Sequence, residues 1–248
     1  PVAVGRVTVL VLTGTVLLAL FIARIPASVV SALLPSTVTA SGFTGSLWRG
    51  SASHMDVSQR GQVFALGRVN WVLSPRGLLW GDVLTLESRW GDQRADLALD
   101  FGLGGTAHLN EVMLSLDLGW VRNLIPLYVA GRFTADMDHL AVDSTGMLLE
   151  ANGRIVWENA AWRAVGGDVS LGTYVIDIDT TDQGVQGRIS TRKGALEVNG
   201  QFAIAQGRYT LAADLSGPAA RNEAFQQAIA LLAVPVGSGY RIELSGTL

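Results

Sequence analysis

The sequence predicts a mainly β protein: one N-terminal transmembrane helix, then a curved, largely antiparallel β-sheet body, with a short helix near the C-terminus. Three observations predict it. Val7 to Ala23 is an unbroken run without charge or proline, flanked by Arg6 and Arg24. Everything after Thr37 alternates apolar and polar residues in short runs broken by many of the 29 glycines, the period-two pattern of strands. A single stretch after Pro218 carries helical periodicity. The alternation is equally compatible with a meander, a groove or a sandwich.

The apolar run comes first. Seventeen residues at about 1.5 Å each span ~25 Å, near the ~30 Å of a hydrocarbon core, and the flanking arginines can snorkel to the interfaces. A signal peptide is the rival reading. Its apolar region is usually shorter and ends in small residues, whereas here Arg24-Ile25-Pro26-Ala27-Ser28 follows. The expected layout is therefore an anchor over residues 1–25, a juxtamembrane helical segment over 26–36 and a β-rich domain over 37–248. In the middle segment Val29, Val30, Leu33 and Leu34 fall on one helical side, and Pro35 stops the helix.

Along the body, Gly45-Ser46-Leu47-Trp48-Arg49-Gly50 opens the sheet. Ser74-Pro75-Arg76-Gly77 is a turn with proline at its second position. Val112, Leu114, Leu116 and Leu118 alternate with Met113, Ser115 and Asp117, and Trp120 to Ile125 is expected to form a helical turn. A Gly-Arg pair recurs at Gly67-Arg68, Gly131-Arg132, Gly153-Arg154, Gly187-Arg188 and Gly207-Arg208. Each reads as the start of a strand after a turn that needs positive φ, and the irregular spacing favours a meander over a solenoid. Gly172 to Asp179 is the clearest strand, with Tyr174, Ile176 and Ile178 on one face and Val175, Asp177 and Asp179 on the other. Ala219 to Ala233 is expected to be a helix, with Phe225, Ile229 and Leu232 at i, i+4 and i+7 and Pro235 beyond it.

Composition excludes several functions. Charged residues make up 16% of the chain, net charge is −3, and mean hydropathy is +0.34. Lys193 is the only lysine and no basic run occurs, which argues against nucleic acid as a partner. The chain has no cysteine, so disulfides and thiolate metal sites are out. The three histidines are scattered. In Asp136-Met137-Asp138-His139 the aspartates share a strand face and His139 points to the other, so they cannot converge on a metal without a bulge. No nucleophile elbow, zinc-protease motif or phosphate loop is present. The reading is a non-enzyme with no cofactor and no metal. The seven tryptophans read as strand-face core or interface residues rather than ligand stacks. Trp48, Trp71, Trp80, Trp157, Gly45, Gly50, Gly81, Gly153 and Tyr174 are the candidate structural or interface residues.

Taken in order, these motifs resemble the type II secretion system protein N (GspN) family. The matching features are the anchor, Gly45-x-Leu47-Trp48-x-Gly50, Trp71-x-Leu73-x-Pro75, Leu78-Leu79-x-Gly81, Gly153-x-Ile155-x-Trp157 and Leu171-Gly172-x-Tyr174. The closing helix, Gly239-Tyr240 and Gly246-x-Leu248 complete the set. The resemblance implies an accessory inner-membrane component whose β-rich domain over 37–248 is periplasmic, taking part in protein export across the outer membrane. It implies other secretion-system proteins as partners, with protein C the first to test, and supplies no catalytic residues. The alternative is a membrane-attached β-groove that binds or transfers lipid in the envelope.

Overall fold

The structure is a computed structural model describing residues 13–15, 17, 20–59, 62–75, 77, 83–102, 105–118, 129–164, 167–230 and 232–247. It divides into two compact units, Pro1–Trp90 and Gly91–Leu248. Both are built of antiparallel strands with few short helices, as the alternation predicts.

In the first unit, Thr13–Thr15, Leu17 and Leu20–Ala23 are helical. Much of the Val7–Ala23 run lies outside the described residues, and among the described residues no helix is long and apolar enough to cross a membrane. The chain turns at Ile25-Pro26 into a 3-10 turn, Ala27–Val29, and one α-turn, α1 (Val30–Leu33). Four strands follow: β1 (Val38–Gly45), β2 (Arg49–Gln59), β3 (Gln62–Leu73) and β4 (Leu84–Trp90). They pair in chain order. Trp71, Ala52 and Ala27 form the buried centre of this unit, with Val30, Phe43, Leu84 and Leu86 packed on it.

The four apolar residues expected on one side of the 26–36 segment divide between two environments. Val30 packs on the Trp71 core while Val29 and Leu33 are 39% and 69% exposed. The cause is the buried Ala27, which turns the segment so that its 27/30 side meets the body.

The second unit contains β5 (Gln93–Phe101), β6 (Ala107–Asp117), β7 (Val129–Val142), β8 (Leu148–Ala164), β9 (Gly167–Thr181), β10 (Gly184–Gly194), β11 (Glu197–Ala205), β12 (Arg208–Ser216), β13 (Ala233–Val236) and β14 (Gly239–Thr247). These too follow chain order, except that β14 lies between β12 and β13. Two of the hairpin connections have a local cause in their own residues. Gln206 and Gly207 both take positive φ, 52° and 71°, between paired Ala205 and Arg208. That is the two-residue turn whose twist suits a hairpin. Between β7 and β8 the Asp143 carboxylate accepts from the Thr145 hydroxyl and from the N–H groups of Thr145 and Met147, an Asx turn. The Thr145 hydroxyl, then the Met147 N–H, hold the Asp143 carboxyl below the usual carboxylate range.

Register sorts the residues of this unit into two faces. Ala135, Ile155, Ile176, Ile189, Gly200, Ala213 and Ile242 stand in one row across six strand pairs. One position further along, on the opposite face, Asp136, Arg154, Asp177 and Arg188 make a row of alternating charge. Arg154 Nε meets Asp177 Oδ1 at 2.6 Å. Tyr174 and Ile178 are buried and Asp179 is exposed, as the alternation in β9 predicts.

Of the Gly-Arg pairs, only Gly207-Arg208 begins a strand. Gly67, Gly131, Gly153 and Gly187 lie inside β3, β7, β8 and β10. At Gly187 the reason is packing: a Cβ there would overlap the Phe202 ring, which lies across it from β11.

The closing helix is shorter than the periodicity predicts. A 3-10 turn, Pro218–Arg221, precedes α2 (Glu223–Ile229), whose N-cap Asn222 accepts from the Phe225 N–H at 3.1 Å. Phe225 and Ile229 are buried against Tyr174, Leu171, Leu196 and Leu215. Leu232 is exposed, because Ala233 already pairs with Ile242 in β13. Pro235 sits in that four-residue strand, paired on one side only, where a missing N–H is tolerated. Since β13 covers Gly239–Ile242 alone, Glu243–Thr247 carry a partner strand, β12, on one side only among the described residues. The expected helical turn at Trp120–Ile125 lies outside the described residues.

Candidate functional site

Four candidate residues of the first unit, Gly45, Trp48, Gly50 and Trp71, converge on one place, the joint between the N-terminal helix and the sheet. The turn joining β1 to β2 is closed by the Ser46 N–H on Arg49 O at 2.9 Å and the Arg49 N–H on Ser46 Oγ at 3.2 Å. Gly45 has φ +86°, and a Cβ on it would sit 2.5 Å from Arg49 O. At Gly50 the restriction is close approach, since a Cβ would lie 2.5 Å from Trp71 Cζ2 and 2.7 Å from Ser46 O. The two glycines thus let the turn fold tightly under the Trp71 ring.

Four hydrogen bonds tie this turn to both neighbours. Trp71 Nε1 donates to Leu47 O at 2.9 Å, and the Leu73 N–H donates to Trp48 O at 2.7 Å. Towards the helix, the Leu47 N–H donates to Ile25 O at 2.8 Å and Trp48 Nε1 to Ile22 O at 2.9 Å. Ile22 O, in the last turn of the helix, accepts from the Ile25 N–H at 3.3 Å and from the Trp48 indole, which reaches it from the sheet side. Ala27, 2% exposed, fills the space beside Trp71, 5% exposed. Phe43 meets the same indole edge-on at 6.4 Å.

Gly153, Trp157 and Tyr174 lie in the second unit. Phe133, Trp157 and Tyr174 form an aromatic row across β7, β8 and β9, with centroids 5.5 and 5.7 Å apart. Trp157 Nε1 donates to Ala130 O at 3.1 Å, and the Tyr174 hydroxyl to Leu196 O at 3.0 Å. Burial pushes the Tyr174 phenol up to about 12. Gly153, with φ +147°, has the Asp136–Met137 backbone against it. Trp80 and Gly81 lie outside the described residues.

One cluster escaped the sequence reading. A register shift between Met137 and His139 turns His139 towards the face that carries Asn110 and Glu150, which corrects its expected position. His139 Nδ1 lies 2.8 Å from Asn110 Oδ1, and Nε2 lies 3.2 Å from Glu150 Oε2. Its ring stacks on His108 at 5.4 Å. The signal was nonlocal: His139 pairs with Asn110 across β6 and β7. Among the described residues no group of three or more His, Cys, Asp or Glu is placed to hold a metal.

Sequential hairpins and a tied helix–sheet joint define an all-β scaffold of the meander type. The model of the family described as type II secretion system (T2SS), protein N, matches residues 36–243. The chain belongs to that family and is a component of a type II secretion system. Membership implies interaction with other secretion-system proteins and association with the cell envelope. No curated protein and no solved structure matches the chain.

Proposed function

We propose that this chain is an accessory inner-membrane component of the secretion system. Residues 1–25 serve as a single-pass anchor, 26–36 as a juxtamembrane segment, and 37–248 as a non-enzymatic periplasmic docking domain. The observation that carries this reading is the Trp48–Ile22 contact. A first unit hydrogen-bonded to the last turn of an apolar helix moves with that helix, which suits a part that holds partners beside a bilayer. Docking needs a surface, and the single-sided Glu243–Thr247 stretch of β14 offers N–H and C=O groups to an added strand.

The test is site-specific photocrosslinking in intact cells from position 245 of β14. Capture of a secretion-system protein, with protein C the first candidate, is the expected result. Recovery of none from this position or from the exposed Thr39 of edge strand β1 would remove the support for docking.

A second reading rests on the unbroken apolar row from Ala135 to Ile242, whose Ile155, Ile176, Ile189 and Ile242 are half-buried. Such a face suits a groove that binds or transfers lipid acyl chains. Lipid copurifying in constant ratio with the detergent-extracted chain, identified by mass spectrometry, would favour it; a consistently lipid-free body would exclude it.

A further inference from the structure

The segment between anchor and sheet has two sides with different fates. Ala27 and Val30 are locked into the Trp71 core, so the segment cannot swing away from the body. Val29 and Leu33, at i and i+4, lie on one side of the short helix and remain 39% and 69% exposed. They are continuous in sequence with Leu20, Phe21 and Ile22, which are exposed as well. Only Arg24, Ile25 and Pro26 stand between that helix and the segment, and the joint fixes both to the same turn through Ile22 O and Ile25 O.

Charge is equally one-sided here. No aspartate or glutamate precedes Asp56, whereas Arg6, Arg24 and Arg49 all fall before it. Arg24 is exposed at the end of the helix, and the Trp48 indole donates to Ile22 O in its last turn. Exposed aliphatic side chains with an arginine and an indole at a helix end are what a membrane–water interface selects.

We propose that Val29 and Leu33 form a foot that enters the acyl-chain boundary of an anionic bilayer, with Arg24 on the lipid headgroups. The foot rests on the membrane-anchored reading above and adds the surface on which the body stands. A single helix lets a body tilt and rotate; a second insertion point, held to the sheet through Ala27 and Trp71, removes that freedom. The first unit then keeps one height and one orientation relative to the bilayer.

The chain has no cysteine, so single-cysteine variants label at one site each. Val29→Cys, Leu33→Cys and, as a water-phase reference, Thr247→Cys carry a nitroxide in the full chain. The host is vesicles of phosphatidylethanolamine and phosphatidylglycerol. Collision rates with oxygen and with a water-soluble nickel chelate are then read by electron paramagnetic resonance. The expected ratio of oxygen to chelate collisions is severalfold higher at 29 and 33 than at 247. Ratios at 29 and 33 equal to that at 247, in chain that floats with the vesicles, overturn the foot and leave the anchor standing. Chain that does not float overturns both.

Discussion

The Trp71 indole N–H donates to Leu47 O across 2.9 Å, so a side chain from β3 holds the backbone of the turn between β1 and β2. The same ring lies over Gly50 and beside Ala27, and therefore both stabilises the turn and seats the juxtamembrane segment. Trp71→Phe keeps most of the apolar volume but leaves Leu47 O without that donor, a loss of about 1–3 kcal/mol. Trp71→Ala adds a cavity and should lose about 3–5 kcal/mol. Denaturant unfolding of the two variants in detergent should rank them in that order.

Trp48 acts on the helix rather than on the core. Trp48→Phe removes the indole's hydrogen bond to Ile22 O and leaves that of the Ile25 N–H and the turn's own hydrogen bonds in place. Amide exchange should then quicken at Leu47, whose N–H reaches Ile25 O, with no change at the Tyr174 strand. Unchanged protection at Leu47 would mean that the indole contact does not hold the joint.

Tyr174 sets a limit at alkaline pH. Its phenol titrates at about 12 in the folded chain, against about 10 when unfolded. A raised pKa means that the neutral form is favoured by folding. Its contribution is whole below pH 10 and is lost as pH rises to 12. Stability should fall across that window, and Tyr174→Phe should flatten the fall. The same substitution costs about 1–3 kcal/mol at neutral pH, because Leu196 O loses its donor. The phenolate absorbance that Tyr174 contributes near pH 12 should be missing in the variant.

Gly187 and Phe202 form a matched pair. Gly187→Val should destabilise by about 1–3 kcal/mol, because the new side chain meets the ring that crosses it. Adding Phe202→Ala should recover part of that loss, and a double-mutant cycle with no coupling would show that the ring does not set the glycine.

The sequence by itself determined the two regimes of this chain, apolar run and alternating strands, because the side-chain periods of helix and strand are local properties of the backbone. It also determined the faces of β9, where Tyr174 and Ile178 against Asp177 and Asp179 needed only counting by twos. The order of the Gly-Leu-Trp-Gly and Trp-x-Leu motifs carried the family. Only the tertiary structure decided what those motifs do. Gly50 is small because of a ring twenty-one residues away, and Trp48 matters because of a carbonyl at Ile22. The division of Val29 from Val30, the turning of His139 by a bulge and the row Asp136–Arg154–Asp177–Arg188 are likewise settled by register. Register is a relation between distant segments, selected by packing of the whole sheet, and a period read along one strand does not contain it.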